Sequence, residues 1–273
     1  MAGAPAWRSS GLPITIGISA RLLGEEVRDD GSHKQDSPIA GVLGRWFTWV
    51  PVCPEVEVGM GTPQEPIRLA GDPRAPRLLG VQSGADHTAA MTEYVRRRAA
   101  ELARCGLSGY ILKRASPSCG MERVTVYTPA GMPSGSGTGL FARALLEALP
   151  RLPAEEEGRL AEARLRDNFI TRVFATGGSW RSPSRGRGRP TSWAFHTSHK
   201  YLLLSHSPGH YARLGQMVAA VAKAPRAEVA QAVSPALHAG PAGHATPRKH
   251  VNVLQPITGF FTRRLDTGGT GIC

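Results

Sequence analysis

The chain has 273 residues and a formal net charge of +12, and its 41% hydrophobic content is enough to fill the core of one large domain or two ordinary ones. No apolar run approaches the roughly 20 residues of a membrane helix, and the opening Met1-Ala-Gly-Ala-Pro-Ala-Trp-Arg-Ser-Ser10 lacks the apolar stretch of a secretory leader. Four scattered cysteines exclude a disulfide framework and point to a reducing cytoplasm, while 32 Gly and 22 Pro with only 6% aromatic residues point to loop-rich structure.

Residues 1–12 read as a disordered lead. Ile14-Thr-Ile-Gly-Ile18 is a short apolar strand. Arg28-Asp-Asp30 and Gly31-Ser-His33-Lys34 form a polar turn. Phe47-Thr-Trp-Val-Pro-Val52 reads as a second strand, which delivers Cys53-Pro54-Glu55 at its end. Asp86 to Thr88 can cap a helix through Met91–Arg104, whose apolar positions Met91, Tyr94, Val95, Ala99, Leu102 and Ala103 fit a 3.6-residue period. Gly106 or Gly109 ends it, and Gly109-Tyr-Ile-Leu112 is a buried strand. That strand feeds a tight turn, Lys113-Arg-Ala-Ser116-Pro-Ser118-Cys119-Gly120, followed by a strand at Val124–Tyr127. Gly135, Gly137 and Gly139 then lead into a helix over Leu140–Leu149, without a P-loop lysine or the dinucleotide spacing.

Pro150-Arg-Leu-Pro153 followed by Ala154-Glu-Glu-Glu157 reads as a proline stop and an acidic helix start. The expected organisation is an α/β domain with a mostly parallel sheet over 13–152, a helical connection over 153–176, a low-complexity linker over 177–190 and an all-helical domain over 191–273. In that last part His196–Ala222 is helical in pattern, with Gly209 as a break, and Val251–Leu265 is a final helical segment. Residues 177–273 hold 12 Lys/Arg against two acids, Glu228 and Asp266, and seven of the nine histidines. This basic tail could attract a nucleic acid weakly and without sequence preference.

The chemistry gathers at strand ends, where ligands sit in open α/β sheets. Cys53 and Cys119 are too far apart in sequence for a short metal-ligand motif, but thiols delivered singly can converge on zinc or an iron–sulfur cluster. Glu55, two residues after Cys53, could act as a general acid or base. Ser116 and Ser118 could hold a carbonyl or relay a proton. The competing account is two buried structural cysteines among polar turn residues. Cys105 reads as a boundary thiol at a helix end, and Cys273 as an inert terminal one.

Taken together, these pieces resemble the 2-thiouracil desulfurase (TudS) family over about residues 13–150. The resemblance rests on Gly17-Ile-Ser-Ala-Arg-Leu-Leu-Gly24, Val27-Arg-Asp-Asp-Gly-Ser-His-Lys34, Val52-Cys-Pro-Glu55, Gly59-Met-Gly-Thr-Pro63, Leu112-Lys-Arg-Ala-Ser-Pro-Ser-Cys-Gly120 and Gly137-Thr-Gly-Leu-Phe141. The continuation resembles the YbgA domain, through Glu155-Glu-Glu-Gly-Arg-Leu160, Asn168-Phe-Ile-Thr-Arg-Val-Phe174, Phe195-His-Thr-Ser-His-Lys-Tyr201, His250-Val-Asn-Val-Leu-Gln255 and Gly259-Phe-Phe261. That domain looks cut short here.

The resemblance implies three cysteines holding a 4Fe–4S cluster, whose free iron takes sulfur from a thiolated pyrimidine while water attacks the carbon. It maps two of the ligands to Cys53 and Cys119. Arg21 stands at the third place, and a guanidinium cannot ligate iron as a thiolate does. Asp29, Gln64 and Pro256 also depart from the family pattern. By position Glu55, Ser116 and Asp30 are the expected catalytic residues, handling protons and polarising the substrate. The expected function is thiouracil desulfuration impaired by Arg21. The alternative is a non-catalytic binding or regulatory relative, or a degraded copy.

Overall fold

The computed structural model describes residues 14–24, 43–44, 46–61, 64–180, 201, 204–205 and 207–220. The chain divides into two compact units, Met1–Phe169 and Ile170–Cys273.

In the first unit, β1 (Ile14–Ser19), β2 (Phe47–Val52), β5 (Gly109–Leu112) and β8 (Ala154–Glu156) form an all-parallel sheet in the order β2-β1-β5-β8. The central strands are apolar on both faces because both faces are covered. Ile16 and Ile18 of β1 and Tyr110, Ile111 and Leu112 of β5 are all buried. Gly17 has no side chain because the Tyr110 ring fills the space a Cβ would take. Helix α2 (Thr88–Arg104) turns Met91, Tyr94, Val95, Ala99 and Leu102 inward, as its periodicity predicts, while Ala103, also expected on that face, is exposed. Helix α3 (Leu140–Ala148) buries Phe141, Ala142 and Leu145 in the same core. Each such large apolar side chain contributes about 1.5–3 kcal/mol when fully buried.

The expected mostly parallel sheet is present, accompanied by a second sheet that the sequence reading did not separate from it. This sheet is mixed, with the order β4-β3-β6-β7, where β3 is Ile67–Ala70, β4 Arg77–Gly80, β6 Val124–Tyr127 and β7 Pro133–Gly137. Two antiparallel hairpins, β3–β4 and β6–β7, meet through the parallel pair β3–β6. The Gly-rich stretch from 135 is therefore partly an edge strand.

The acidic stretch read as a helix start is instead β8, in register with β5 through Tyr110↔Ala154, Ile111↔Glu155 and Leu112↔Glu156. The pairing overrides the local preference of glutamate, since an empty sheet edge beside β5 offers a row of hydrogen-bond partners. Tyr110 N–H, for example, donates to Pro153 O at 2.8 Å. Helix α4 (Ala163–Trp180) begins after a 3₁₀ turn at Arg159–Ala161 and continues past Gly177, where the sequence had suggested a linker. In the second unit, α5 (Pro208–Ala220) opens on a proline, whose fixed φ suits a first helical turn, and Gly209 lies inside the helix without breaking it. The rest of the expected all-helical domain, the basic tail, the disordered lead and most of the linker lie outside the described residues. No helix among the described residues is long and apolar enough to cross a membrane.

Candidate active site

The parallel sheet aims its carboxyl ends at one place. From the end of β1 comes Arg21, from β2 come Cys53 and Glu55, from β5 the Ser116–Cys119 turn, and from β8 Glu156. The chain runs from β1 outward to β2 and later returns to the other side of β1 with β5, so the order reverses between β1 and β5. Such a reversal opens the crevice in which ligands bind. Ser19 ties the two strand ends together by accepting the Lys113 N–H at 3.0 Å.

Cys53 has extended backbone and precedes a short helix, α1 (Pro54–Glu57), with Pro54 at its first position. This turn swings Glu55 inward, where it is 3% exposed. Glu57 reaches back to accept the Cys53 N–H at 3.2 Å, takes the Tyr94 hydroxyl at 2.9 Å and pairs with Arg98 at 3.2 Å. The thiol segment is thereby fastened to α2. Burial, and then the hydrogen bond to Glu57, push the Tyr94 phenol well up from its ordinary range.

The second thiol sits in a turn docked on the start of α3. Ser118 O accepts the N–H groups of Phe141 and Ala142, Pro117 O accepts that of Leu140, and Gly120 O accepts that of Gly139. These helix-end donors are spent on the turn, so the segment from Gly135 to Gly139 does not present them as a phosphate cradle. A Cβ at Gly139 would run into the backbone of Ser118 and Cys119, and one at Gly120 into Val124 and Ser116 O. Only glycine permits this approach. Ser116 Oγ braces the turn by accepting the N–H groups of Ser118 at 3.3 Å and Cys119 at 3.1 Å.

Four polar groups converge on Glu55. Its Oε1 accepts from the Ser118 hydroxyl at 2.6 Å, with Ser116 Oγ farther off at 3.4 Å. Its Oε2 takes the Arg21 guanidinium and the Gln64 amide, each at 2.8 Å. Ser118 Oγ also lies 2.9 Å from Ser116 Oγ and 3.5 Å from Cys119 Sγ. A serine hydroxyl has one proton and two lone pairs. Ser118 is the donor toward both Glu55 and Cys119 Sγ, so its one proton serves either the short bond to the carboxylate or the longer contact to sulfur, and the hydroxyl links the two groups.

Both thiols are buried, and the charge on Glu55 bears on each of them. Burial foremost, and then the Glu55 charge, push Cys119 up to about 12, against the hydrogen bonds of Ser118 and Ser19. Cys53 is also raised, chiefly by burial, with Glu55 adding to the rise and Arg21 opposing it. At neutral pH both are thiols. A soft metal that binds here must displace their protons.

Of the residues selected from sequence, Cys53, Glu55, Ser116 and Cys119 come to this crevice, and Arg21 enters it as Glu55's ion-pair partner. Asp30 lies outside the described residues. Cys105 is exposed at the end of α2 and bonds to Glu101 O of its own helix. The reading favoured Ser116 over Ser118, whereas Ser118 makes the short bond to Glu55. Sequence reasoning reaches Gln64 only as a departure from the family pattern and does not reach Glu57 or Glu156. The signal for Gln64 is its place directly after the Gly59-Met-Gly-Thr-Pro63 motif.

Among the described residues the crevice holds two thiols, Cys53 and Cys119, and the guanidinium of Arg21 has its Nη2 committed to Glu55, so these residues alone do not supply three thiolates for a cluster. Among the described residues no three Cys, His, Asp or Glu side chains are grouped to hold a metal.

The family model 2-thiouracil desulfurase matches residues 16–157, and the model of DUF1722, a protein family of unknown function, matches residues 200–269, the YbgA-like part. An uncharacterised protein of Bacillus subtilis strain 168, YbbK, is 32% identical over 145 residues, which is 51% of this chain and 95% of that protein. A solved structure of the 4Fe-4S-dependent thiouracil desulfidase TudS is 31% identical and covers 56% of this chain and 96% of its own, with a TM-score of 0.44.

Proposed function

Since the chain belongs to the 2-thiouracil desulfurase family, we propose that its crevice takes a thiolated pyrimidine and is built to remove the sulfur, and that Arg21 impairs this activity by leaving an iron–sulfur cluster one thiolate short. The observation that carries the reading is the carboxylate of Glu55, 3% exposed and bonded to Ser118 between two buried thiols. A buried carboxylate with a hydroxyl relay is suited to general acid–base work, and structural packing of two cysteines would not call for it.

In this reading Glu55 and Ser118 hold and move the proton that replacement of sulfur by oxygen requires. Ser116 keeps the turn in shape and, at 3.4 Å, is the second hydroxyl near the carboxylate. Cys53 and Cys119 are the soft ligands. Arg21 neutralises Glu55 from the place where the resemblance implies a third thiol. No chemical step is assigned to a cluster on two thiolates, because too few ligands are present to define one. The tail's attraction to nucleic acid is not part of this reading.

The test is anaerobic reconstitution of the wild-type chain and of Arg21→Cys with iron and sulfide, followed by incubation with 2-thiouracil. The expected result is low iron and little sulfide release for the wild type. The variant should gain an absorption band near 400 nm, roughly four irons per chain and measurable release, as a cube-type cluster requires. Equal iron and equal turnover in the two forms would overturn the role given to Arg21. No release from either form, with the variant fully loaded, would overturn the substrate class.

A further inference from the structure

We propose that Glu156 and Glu157 are positioning residues for the thiol turn, each holding one end of it, and that together they fix Cys119 and the two serines against Glu55. The proposal rests on the desulfurase reading and deepens it by adding residues that hold the turn rather than touch Glu55.

The chain leaves the sheet at the end of β5 and returns to regular structure at β6. Between them it carries Ser116, Ser118 and Cys119 through a tight path. At the entry, Glu157 accepts the Arg114 N–H at 2.6 Å and pairs with Lys113 Nζ. At the exit, one oxygen of Glu156 accepts the N–H groups of Met121 at 2.8 Å and Glu122 at 3.3 Å. Glu156 is 5% exposed, and these are part-buried charge-assisted bonds, the stronger kind. Both carboxylates follow from the register of β8, which sets Glu156 beside Leu112, the last residue of β5.

Backbone strain falls at the same two points. Ala115, directly after the amide held by Glu157, has φ 58°, and Arg123, directly after the amide held by Glu156, has φ 56°. These are the only two non-glycine residues with positive φ among those described. The left-handed conformation costs a residue with a Cβ on the order of 1–2 kcal/mol. A turn that bends against its own backbone at both ends would relax if the ends were free. The two carboxylates supply the restraint, and Cys119 lies between them.

The experiment labels the full-length chain with brief iodoacetamide pulses and reads Cys119 against Cys53 by peptide mass spectrometry. Cys53 is held by β2 and Glu57, so it serves as the internal control, and the exposed Cys105 marks complete reaction. Glu156→Ala should raise Cys119 labelling relative to Cys53 by about tenfold, as expected for a local opening. Glu156→Gln keeps an acceptor oxygen for both amides and should stay within about twofold of wild type. Glu157→Ala should also raise the ratio.

An unchanged ratio in both alanine variants would overturn the proposal, as would Glu156→Gln behaving like Glu156→Ala. If Glu156→Ala does not fold, native-state hydrogen exchange on the wild type decides. The amides of Arg114, Met121 and Glu122 should exchange at least about a hundredfold slower than free peptide, and exchange at free-peptide rates would overturn the proposal. Sulfide release has no part in these readouts, so failure of the desulfurase reading and failure of this one are separable.

Discussion

Arg21 Nη2 lies 2.8 Å from Glu55 Oε2, and this contact joins the segment after β1 to the segment after β2. The carboxylate is buried while the arginine side chain is about one-third exposed, so the pair has one dry partner and one wet one. Glu55 therefore depends on Arg21 more than Arg21 depends on Glu55. In the proposed reading, the side chain that stands where a third thiolate is implied is also the ion-pair partner of the buried acid.

That asymmetry predicts the result of a double-mutant cycle. Arg21→Ala should destabilise the chain by about 1–2 kcal/mol, because Gln64 and Ser118 still bond the carboxylate. Glu55→Gln in the Arg21→Ala background should recover part of that loss. Urea unfolding of the four forms gives the coupling. A value within about 0.3 kcal/mol of zero would mean that the contact has no energetic weight.

The two serines should separate by role. In the Arg21→Cys background with the cluster loaded, Ser118→Ala should lower sulfide release from 2-thiouracil roughly a hundredfold, the scale of a lost acid–base relay. Ser116→Ala should act mainly through the turn, since its hydroxyl accepts two backbone N–H groups. It should lower the melting temperature more than Ser118→Ala does. Reversed rankings would move the relay to Ser116.

Gly139→Ala should be among the more damaging single substitutions near the site. The added methyl meets Ser118 O and, at 2.9 Å, Cys119 N, both of them backbone atoms that cannot turn aside. The expected loss is about 1–3 kcal/mol, with Cys119 more open to alkylation. Thermal unfolding checks the first part, and a melting temperature equal to wild type would contradict the close packing of α3 on the turn.

Acid stability should depend in part on Asp86, before the start of α2. Hydrogen bonds from the Thr88 side chain and backbone, then from Arg77, lower its carboxyl to about 2. A carboxylate whose pKa is depressed by folding contributes stability that is full above its unfolded pKa, near 3.8, and is lost as pH falls toward 2. Asp86→Asn should therefore flatten the decline in unfolding midpoint between about pH 4 and pH 2. An equally steep decline in the variant would show that Asp86 has no part in it.

Much of this protein was legible along the chain because the relevant signals are local. Apolar runs closed by Gly and Pro mark β1, β2 and β5, and the 3.6-residue period marks the buried face of α2. The placing of Cys53, Glu55, Ser116 and Cys119 just after strands made them candidates before any fold was known, since the carboxyl ends of parallel strands are where such sheets bind ligands. The tertiary structure decided what those residues touch. Ser118 and Ser116 are alike in sequence, and the choice between them depends on a turn bent through Ala115 and grasped by Glu157. The acidic stretch after Pro153 has no strand pattern of its own and becomes β8 because β5 offers it an edge. Arg21 reaches Glu55 from the segment after β1, and Gln64 reaches it from the loop after α1. Side-chain hydrogen bonds and ion pairs depend on distances of a few ångströms in space, which residue periodicity does not encode, so the partners of Glu55 emerged only with the packed sheet.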